Sequence, residues 1–304
     1  ISSGQTALRF LYIFLITLAL GVAAYFTTSR TYYKTILYGI ETGKAALTRK
    51  TAVKTHSQSY ALFRREFLLI FRSFNYSFQY FAMAVAAPVM VYYCNDLAAG
   101  YGQSIIGMRI APGLTLMVIT LFVTIIVSFA STTVSREGNC FYHTKIIPVS
   151  YRKQVLIKLL LYSVVATASN LISCLVVGLT FGKLGRGVIE FADMALIFLI
   201  AEMLVVSLTC MSIRVDIKKP TFNVSGDGEL VAPNKNVSLT IFIGVAVAVL
   251  MGFFVMLFSI LPLPGFTSKY GVYVIPLCAA ALLLIVTTAT LFPTLSKDYR
   301  NITP

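Results

Sequence analysis

VSLTIFIGVAVAVLMGFFVMLFSIL, residues 237–261, is a run without a single charged side chain. A helix needs about 20 apolar residues to cross about 30 Å of hydrocarbon. This run is apolar on every side and not on alternate residues, so it predicts a membrane-spanning helix and not a barrel strand. Six other stretches have a similar character: residues 8–28, 78–97, 111–134, 159–181, 192–213 and 272–292. The sequence therefore predicts an all-α, polytopic transmembrane bundle of about seven spans.

The overall composition supports the same class. Hydrophobic residues make up 58% of the chain and charged residues only 12%, whereas a soluble domain carries about 25% charge. The net charge of +14 does not indicate nucleic acid, because the basic residues lie between apolar runs and form no polar face. Cys140 and His143 have Cys-x-x-His spacing without a second pair, so we predict no metal site.

The distribution of basic residues gives an orientation. Of the 25 Lys and Arg residues, 20 lie in the connections 30–72, 136–158 and 214–235 or after residue 292. These connections alternate with the others as seven spans require. The positive-inside rule then predicts a multi-pass protein of the cell (cytoplasmic) membrane, with Ile1 outside and the C-terminus in the cytoplasm. Because the chain starts with Ile1, we interpret it as a piece of a longer polypeptide.

The first basic connection has two parts. Residues 30–59 are polar and predict a cytoplasmic linker. Residues 60–74, YALFRREFLLIFRSF, interrupt an apolar stretch with Arg64, Arg65 and Arg72. This pattern favours an interfacial helix whose arginines reach the phosphates of membrane lipids. The alternative is that residues 60–74 are the cytoplasmic end of the next span.

The second basic connection, residues 135–158, reads SREGNCFYHTKIIPVSYRKQVLIK. It predicts a short helix between Glu137 and Ile147 that presents Phe141 and Ile146. Pro148 is expected to end this helix, because proline lacks an amide donor and restricts the residue before it.

Common enzyme signatures are missing from the sequence, which contains no HExxH, GxSxG or GxxxxGK[ST] motif. We therefore predict no catalytic residues. Glu202 lies near the middle of the span 192–213, where an ionised carboxylate is costly. Two interpretations stay open: Glu202 lines a polar cavity or couples to a cation, or it is protonated or hydrogen-bonded and fixes helix packing, with Asn170 as a partner.

Two blocks resemble the ABC-2 (type-2 ABC exporter) permeases. In residues 62–93, the positions that match the family's interfacial elbow and following span are Arg65, Glu66, Arg72, Tyr76, Gln79 and Pro88. In residues 135–158, the positions that match the family's cytoplasmic loop are Ser135, Arg136, Glu137, Gly138, Lys145, Pro148, Ser150 and Lys158. The segment from Arg214 through Asp216 to Pro220, with Asn234 and Asn236, also resembles the family. The resemblance extends from residue 62 to the C-terminus.

The resemblance implies an architecture. Residues 60–304 would form a six-span permease half, residues 30–59 a cytoplasmic linker, and residues 1–29 the last span of a preceding half. The interfacial elbow would carry Arg64, Arg65, Glu66 and Arg72.

The resemblance also implies a partner. This chain would bind no cofactor, and ATP with Mg would sit on a separate ABC ATPase subunit, present in two copies. Residues 135–158 would be the coupling helix on which this ATPase acts. The residues assigned to coupling are Ser135, Arg136, Glu137, Gly138, Phe141, Tyr142, Lys145, Pro148 and Arg152. Of these, Glu137, Lys145 and Arg152 would make polar contacts, and Phe141 and Tyr142 would be apolar anchors. The residues do not identify a substrate.

Two other functions remain open from the residues themselves. One is an ion- or proton-coupled secondary transporter that uses Glu202. The other is a membrane scaffold that transports nothing.

Overall fold

A break at Ser73 separates the short helix Gln58–Arg72 from the long helix Phe74–Tyr101. The computed structural model describes residues 57–101, 105–181, 189–222, 234–261 and 270–302, together with helical positions at residues 11, 14–15, 17–23, 25–26 and 29. The chain divides into two units, Ile1–Thr55 and His56–Pro304, and the second unit contains the helical bundle. More than half of the seventh predicted span, residues 8–28, is described, and these positions are helical. That this segment crosses a membrane stays a prediction, and the linker 30–59 lies almost entirely outside the described residues.

Every regular element of the described residues is helical. The long helices are α2 Phe74–Tyr101, α3 Ile105–Ser128, α5 Tyr151–Phe181, α6 Phe191–Lys218, α7 Lys235–Ile260 and α8 Val274–Leu291. The short helices are α1 Gln58–Arg72, α4 Phe141–Ile146 and α9 Leu295–Asn301, and 3-10 turns cover Phe129–Thr132, Ser135–Cys140 and Gly271–Tyr273. Six helices of the described part are long and apolar enough to cross a membrane. The prediction of an all-α, membrane-embedded helical protein is confirmed at this level.

Helix α1 is a helix in its own right. The hydroxyl of Ser57 accepts a hydrogen bond from the amide of Tyr60 at its start, as an N-cap residue does. At its end Ser73 is extended, with φ −95° and ψ 99°, so α2 starts afresh at Phe74. Residues 60–74 are therefore not a continuation of the next span, and the placement of α1 at a membrane surface stays a prediction.

The centre of the bundle is formed by α3 and α6. In the most apolar stretches of α3 and α6, 56% of the residues are buried inside this chain, whereas in that of α8 only 17% are buried. Helix α6 contacts α3, α5, α7 and α8. The exposed sides of α7 and α8 are apolar, which is the surface that a helix presents to lipid.

The most extensive helix contact, between α3 and α7, depends on small residues. A Cβ added at Gly252 would lie 2.4 Å from the Met117 Cβ and 3.0 Å from the Gly113 carbonyl oxygen. A Cβ at Gly244 would lie 2.2 Å from a methyl of Thr124. Glycines allow two helix backbones to approach closely in this way.

Two hydrogen bonds join helix ends at the opposite end of the bundle from α1. The Tyr273 hydroxyl donates to the Asp193 carboxylate over 3.1 Å, and the Tyr270 hydroxyl donates to Glu190 over 3.1 Å. They tie the start of α8 to the start of α6, which α8 contacts along its buried side.

Replacing Gly252 by Ala is expected to destabilise the bundle, because overpacking of this kind costs about 1–3 kcal/mol. The thermal unfolding midpoint in detergent should fall by several degrees. Gly178→Ala is the matched control, since its Cβ would meet only the Met194 Cγ at an ordinary 3.6 Å. Equal midpoints for the two variants would contradict the close α3–α7 contact.

Candidate functional site

A buried lysine joins three separate parts of the chain. Lys158, on the second turn of α5, has its Nζ 2.9 Å from an oxygen of Glu66 on α1 and 2.6 Å from an oxygen of Glu137 in the second connection. Its side chain is 1% exposed. A buried ammonium is tolerated only when carboxylates and hydrogen bonds compensate its lost hydration. Lys158 therefore holds α1 and the second connection against α5.

The carboxylate of Glu137 has further partners. Its second oxygen accepts hydrogen bonds from the Thr144 hydroxyl and from Nη2 of Arg65, the latter over 3.1 Å. The same arginine nitrogen donates to the Thr144 hydroxyl over 2.8 Å. Both oxygens of Glu137 are thus bonded, so this carboxylate fixes the second connection to α1 as well as to α5.

Arg136 completes the group. Its side chain is 4% exposed, its Nη2 lies 3.9 Å from Glu66, and its guanidinium lies over the Tyr76 ring at 4.9 Å. The guanidinium nitrogens make no hydrogen bond, so Arg136 acts through charge and through its contact with the aromatic face. Arg65, Glu66, Arg136, Glu137 and Lys158 are called the charge cluster below.

Three tyrosines lie against the charge cluster on its inner side. The Tyr76 hydroxyl is 2.8 Å from the Tyr162 hydroxyl and donates to the Phe129 carbonyl over 2.9 Å. The Tyr80 hydroxyl donates to the Tyr162 carbonyl. These bonds tie α2, α5 and the end of α3 together next to the charges.

A second clamp holds the start of the connection. The buried Asp216, near the end of α6, accepts hydrogen bonds from the amides of Val134 and Ser135 over 2.5 and 3.1 Å and from the Ser135 hydroxyl. Asn236 on α7 donates to the Lys219 carbonyl over 2.8 Å and lies 3.5 Å from Asp216. The connection is therefore bonded to α6 at one point and to α1 and α5 at another.

The connection itself folds as two short pieces. A 3-10 segment covers Ser135–Cys140, and Gly138 has a positive φ of 52°. A Cβ at Gly138 would meet no atom, so the backbone angle and not space favours glycine there. The predicted helix between Glu137 and Ile147 therefore begins only at Phe141, after this turn. It ends at Ile146, just before the exposed Pro148, as expected.

One side of α4 is buried in this chain. Phe141 is fully buried, with its ring 5.5 Å from that of Tyr299 on α9 and 5.8 Å from that of Phe222. Lys145 donates to the Ile302 carbonyl over 2.5 Å. Burial raises the pKa of the Tyr299 phenol well above its usual value, so this ring is neutral. Tyr299 and Ile302 thus lie against the buried side of α4.

The other side of α4 is exposed. Tyr142 and Ile146 are 60% and 59% exposed, and Pro148 and Arg152 beside them are exposed as well. The five predicted partner contacts stay a prediction, but the structure places them differently. Glu137, Phe141 and Lys145 make contacts within the chain. Tyr142 and Arg152 are exposed.

The predicted elbow residues also divide. Glu66 is buried and Arg65 is partly buried in the charge cluster, whereas Arg64 and Arg72 are exposed. The sequence did not indicate Lys158 or Asp216 as the residues that clamp the connection. The sequence does contain a signal for Lys158, which lies in the apolar stretch VLIKLLLY, residues 155–162. A lysine buried in such a stretch needs an acidic partner, because charged side chains are almost never fully buried unless they are paired.

Glu202 and Asn170, the polar residues predicted to pair inside the spans, are not hydrogen-bonded to each other. Glu202 accepts a hydrogen bond from the Thr167 hydroxyl over 2.6 Å, and its other oxygen is buried without a hydrogen-bond partner. Asn170 accepts from the Cys174 thiol at 3.7 Å, and its amide nitrogen has no partner. The partner of Glu202 is thus Thr167, one turn away from the predicted Asn170.

Replacing Lys158 by Met should destabilise the protein, since Glu66 and Glu137 would lose their closest cation. Removing one partner of a buried pair costs about 3–5 kcal/mol, and the lower end applies because Arg65 and Arg136 remain. Adding Glu137→Gln should restore part of the lost stability, because it removes one of the two carboxylates that Lys158 neutralised. The other carboxylate, Glu66, still lies opposite Arg136. Thermal unfolding measures both effects, with Lys153→Met on the same helix as control. A Lys158→Met variant as stable as that control would contradict the role of the charge cluster.

Comparisons with known proteins add no identity to this geometry. No family model, no curated protein and no solved structure matches this chain. The function is therefore argued from the residues of the connection, its two clamps and its exposed side.

Proposed function

We propose that this chain is the membrane-spanning permease part of an ATP-driven exporter of the ABC-2 type. Its energy would come from ATP hydrolysis on a separate nucleotide-binding subunit, in two copies. The observation that carries the proposal is the double clamp on the connection from Ser135 to Ser150. This segment is bonded to α1, α5 and α6 through buried groups, and it keeps an exposed apolar side.

The clamps give this segment the properties of a lever. A force on α4 would pass through Glu137 and Lys158 to α5, and through Ser135 and Asp216 to α6. Because buried ion pairs resist separation, these helices would move together with α4. Closure of the ATPase pair would then tilt the spans and open the pathway on the other side.

The exposed side of α4 has the composition of a docking surface. Tyr142 and Ile146 lie one turn apart on a helix, with Pro148 and Arg152 next to them. Aromatic residues and arginine are enriched where protein partners bind. Their exposure, next to side chains locked in the cluster, supports a partner that this segment contacts from outside the membrane.

The side on which α4 lies follows from the basic residues. Most lysines and arginines of the described residues lie at the end of the bundle that holds the charge cluster. The positive-inside rule supports a cytoplasmic position for that end, with the C-terminus there too. ATP is a cytoplasmic compound, so a lever at this end can be reached by an ATPase.

Replacing Tyr142 and Ile146 together by Ala should uncouple the permease and leave the fold intact, because both side chains are exposed. The complex is purified from membranes of the native host, and the ATPase activity that accompanies the chain is measured. We expect a loss of about tenfold or more, the size of a typical hot-spot truncation. The unfolding midpoint should stay unchanged.

The matched control is Leu282→Ala with Ile285→Ala, which removes similar apolar surface on α8, where the side chains are 62% and 66% exposed. This variant should keep its ATPase. If no ATPase subunit accompanies the unaltered chain, or if the double variant on α4 retains all of it, the exporter proposal fails.

A proton-coupled carrier is the second candidate, because one oxygen of Glu202 is buried without a hydrogen-bond partner. The other acidic residues of the described spans, Asp96, Asp193 and Asp216, lie near helix ends. A carrier that relies on a single deep carboxylate would be unusual, so this candidate ranks below the exporter.

Glu202→Gln separates the two candidates. An exporter driven by ATP should retain transport and ATPase activity in this variant within about twofold, since Gln keeps the oxygen that accepts from Thr167. Substrate uptake in vesicles with an imposed proton gradient but no ATP is the measurement. Gradient-driven uptake that disappears in Glu202→Gln would favour the carrier instead.

A further inference from the structure

An apolar groove runs along the outside of the bundle between α2 and α5. Its volume is about 710 Å³, within the range of roughly 300–1,000 Å³ that small-molecule sites occupy. On α2 it extends from Phe81 to Tyr93, which at 1.5 Å per residue is about 18 Å of helix. The groove is therefore long and narrow and lies parallel to the helices.

Aromatic rings pack together at both ends of the groove. At the end near α1, Phe81 packs on Phe71 with ring centres 5.3 Å apart. At the other end, Tyr92 packs on Phe181 at 5.9 Å. In its floor the Ser169 hydroxyl donates to the Ala84 carbonyl over 2.7 Å, so this polar group is already satisfied. The groove thus offers an occupant apolar contacts and no hydrogen bond from its floor.

The open side of the groove faces the surroundings of the bundle. Val85 and Val89 on its rim are 71% and 51% exposed, and both walls belong to helices of membrane-spanning length. An occupant would therefore enter from the hydrocarbon phase. A partner helix would need small residues on the rim for close approach, whereas Val85, Val89 and Tyr93 protrude. A single acyl chain fits this shape.

Exposed basic side chains lie on α1, the helix whose Phe71 packs on the groove residue Phe81. Arg72 directly follows Phe71, and it lines a depression on α1 together with Arg64 and Arg65. Arg64 and Arg72 are exposed. The acidic residue of this helix, Glu66, is buried against Lys158 and does not line that depression. The exposed charge of α1 is therefore positive.

The apolar groove and the exposed arginines of α1 together suit an occupant with an apolar chain and an anionic headgroup. We propose that the chain binds one anionic phospholipid, with an acyl chain in the groove between α2 and α5 and its phosphate at Arg64 and Arg72. The lipid then bridges α1 and the spans, next to the charge cluster. The proposal requires no ATPase partner, so it can fail or hold independently of the exporter function.

The absence of tryptophan from the chain makes a direct test practical. Val89→Trp places one indole on the groove, and Phe253→Trp places one on the exposed side of α7, where Phe253 is 54% exposed. Each variant is reconstituted in nanodiscs of unlabelled phosphatidylcholine, and brominated phosphatidylglycerol or brominated phosphatidylcholine is titrated in. Bromine quenches the indole on contact.

At the groove, half-maximal quenching should need about 25-fold less brominated phosphatidylglycerol than brominated phosphatidylcholine, since each of the two arginines contributes about fivefold. At α7 the two lipids should quench alike. Arg64→Gln with Arg72→Gln should abolish the preference at the groove. Equal quenching by both lipids there, or no quenching by either, would overturn the proposal.

A second measurement keeps the native groove. Native mass spectrometry of the detergent-purified chain should show one retained phosphatidylglycerol. Ala168→Phe, which fills the groove from α5, should lose it, and Ala279→Phe on α8 should not. Retention that is unaffected by Ala168→Phe would place the lipid elsewhere and refute the assignment to the groove. A copurified protein segment crosslinked at the groove would likewise refute it.

Discussion

The pairing of Lys158 with Glu66 and Glu137 is the constraint on which this end of the molecule depends. An ammonium that is 1% exposed cannot stay in a helical bundle unless carboxylates surround it. Both carboxylates come from elements other than α5. Glu66 brings α1 against α5, and Glu137 brings the connection after α3 to the same place. This pairing contributes to the positions of α1, the connection and the first turns of α5, together with the Asp216 clamp and the packing of Phe141 on Tyr299.

The charge cluster and the Asp216 clamp have different physical characters. In the cluster, desolvation of five charged side chains opposes their mutual attraction, so its main effect is to define one arrangement and not to add much net stability. At Asp216, a carboxylate takes up two backbone amides that would otherwise be unsatisfied where α3 turns into the connection. Leaving such amides unbonded costs about 1–3 kcal/mol each. The charge cluster therefore defines how α1, the connection and α5 are arranged. The Asp216 carboxylate satisfies the backbone amides where the connection begins.

The division of α4 into a locked and an exposed side connects these clamps to function. Phe141, Thr144 and Lys145 face the chain, and Tyr142 and Ile146 face outward. A segment that only closed a loop would not need two buried anchors, and a segment that only bound a partner would not need to be bonded to α1, α5 and α6. In the proposed exporter, this combination would pass a displacement of α4 into the spans. The lipid site proposed between α2 and α5 would lie beside α1, since Phe71 of α1 packs on Phe81 at one end of the groove.

The sequence by itself determined that the protein is helical and membrane-embedded, because a long run without charge has only one stable structure in hydrocarbon, a helix that bonds its own backbone. It also determined the end of α4 before Pro148, since that constraint is local. Only the tertiary structure decided which side chains of the connection are internal. Glu137 bonds to Arg65, 72 residues away, and Lys158 to Glu66, 92 residues away. Hydrophobic periodicity carries no information about such pairings, because burial of a charge depends on what other helices bring to it.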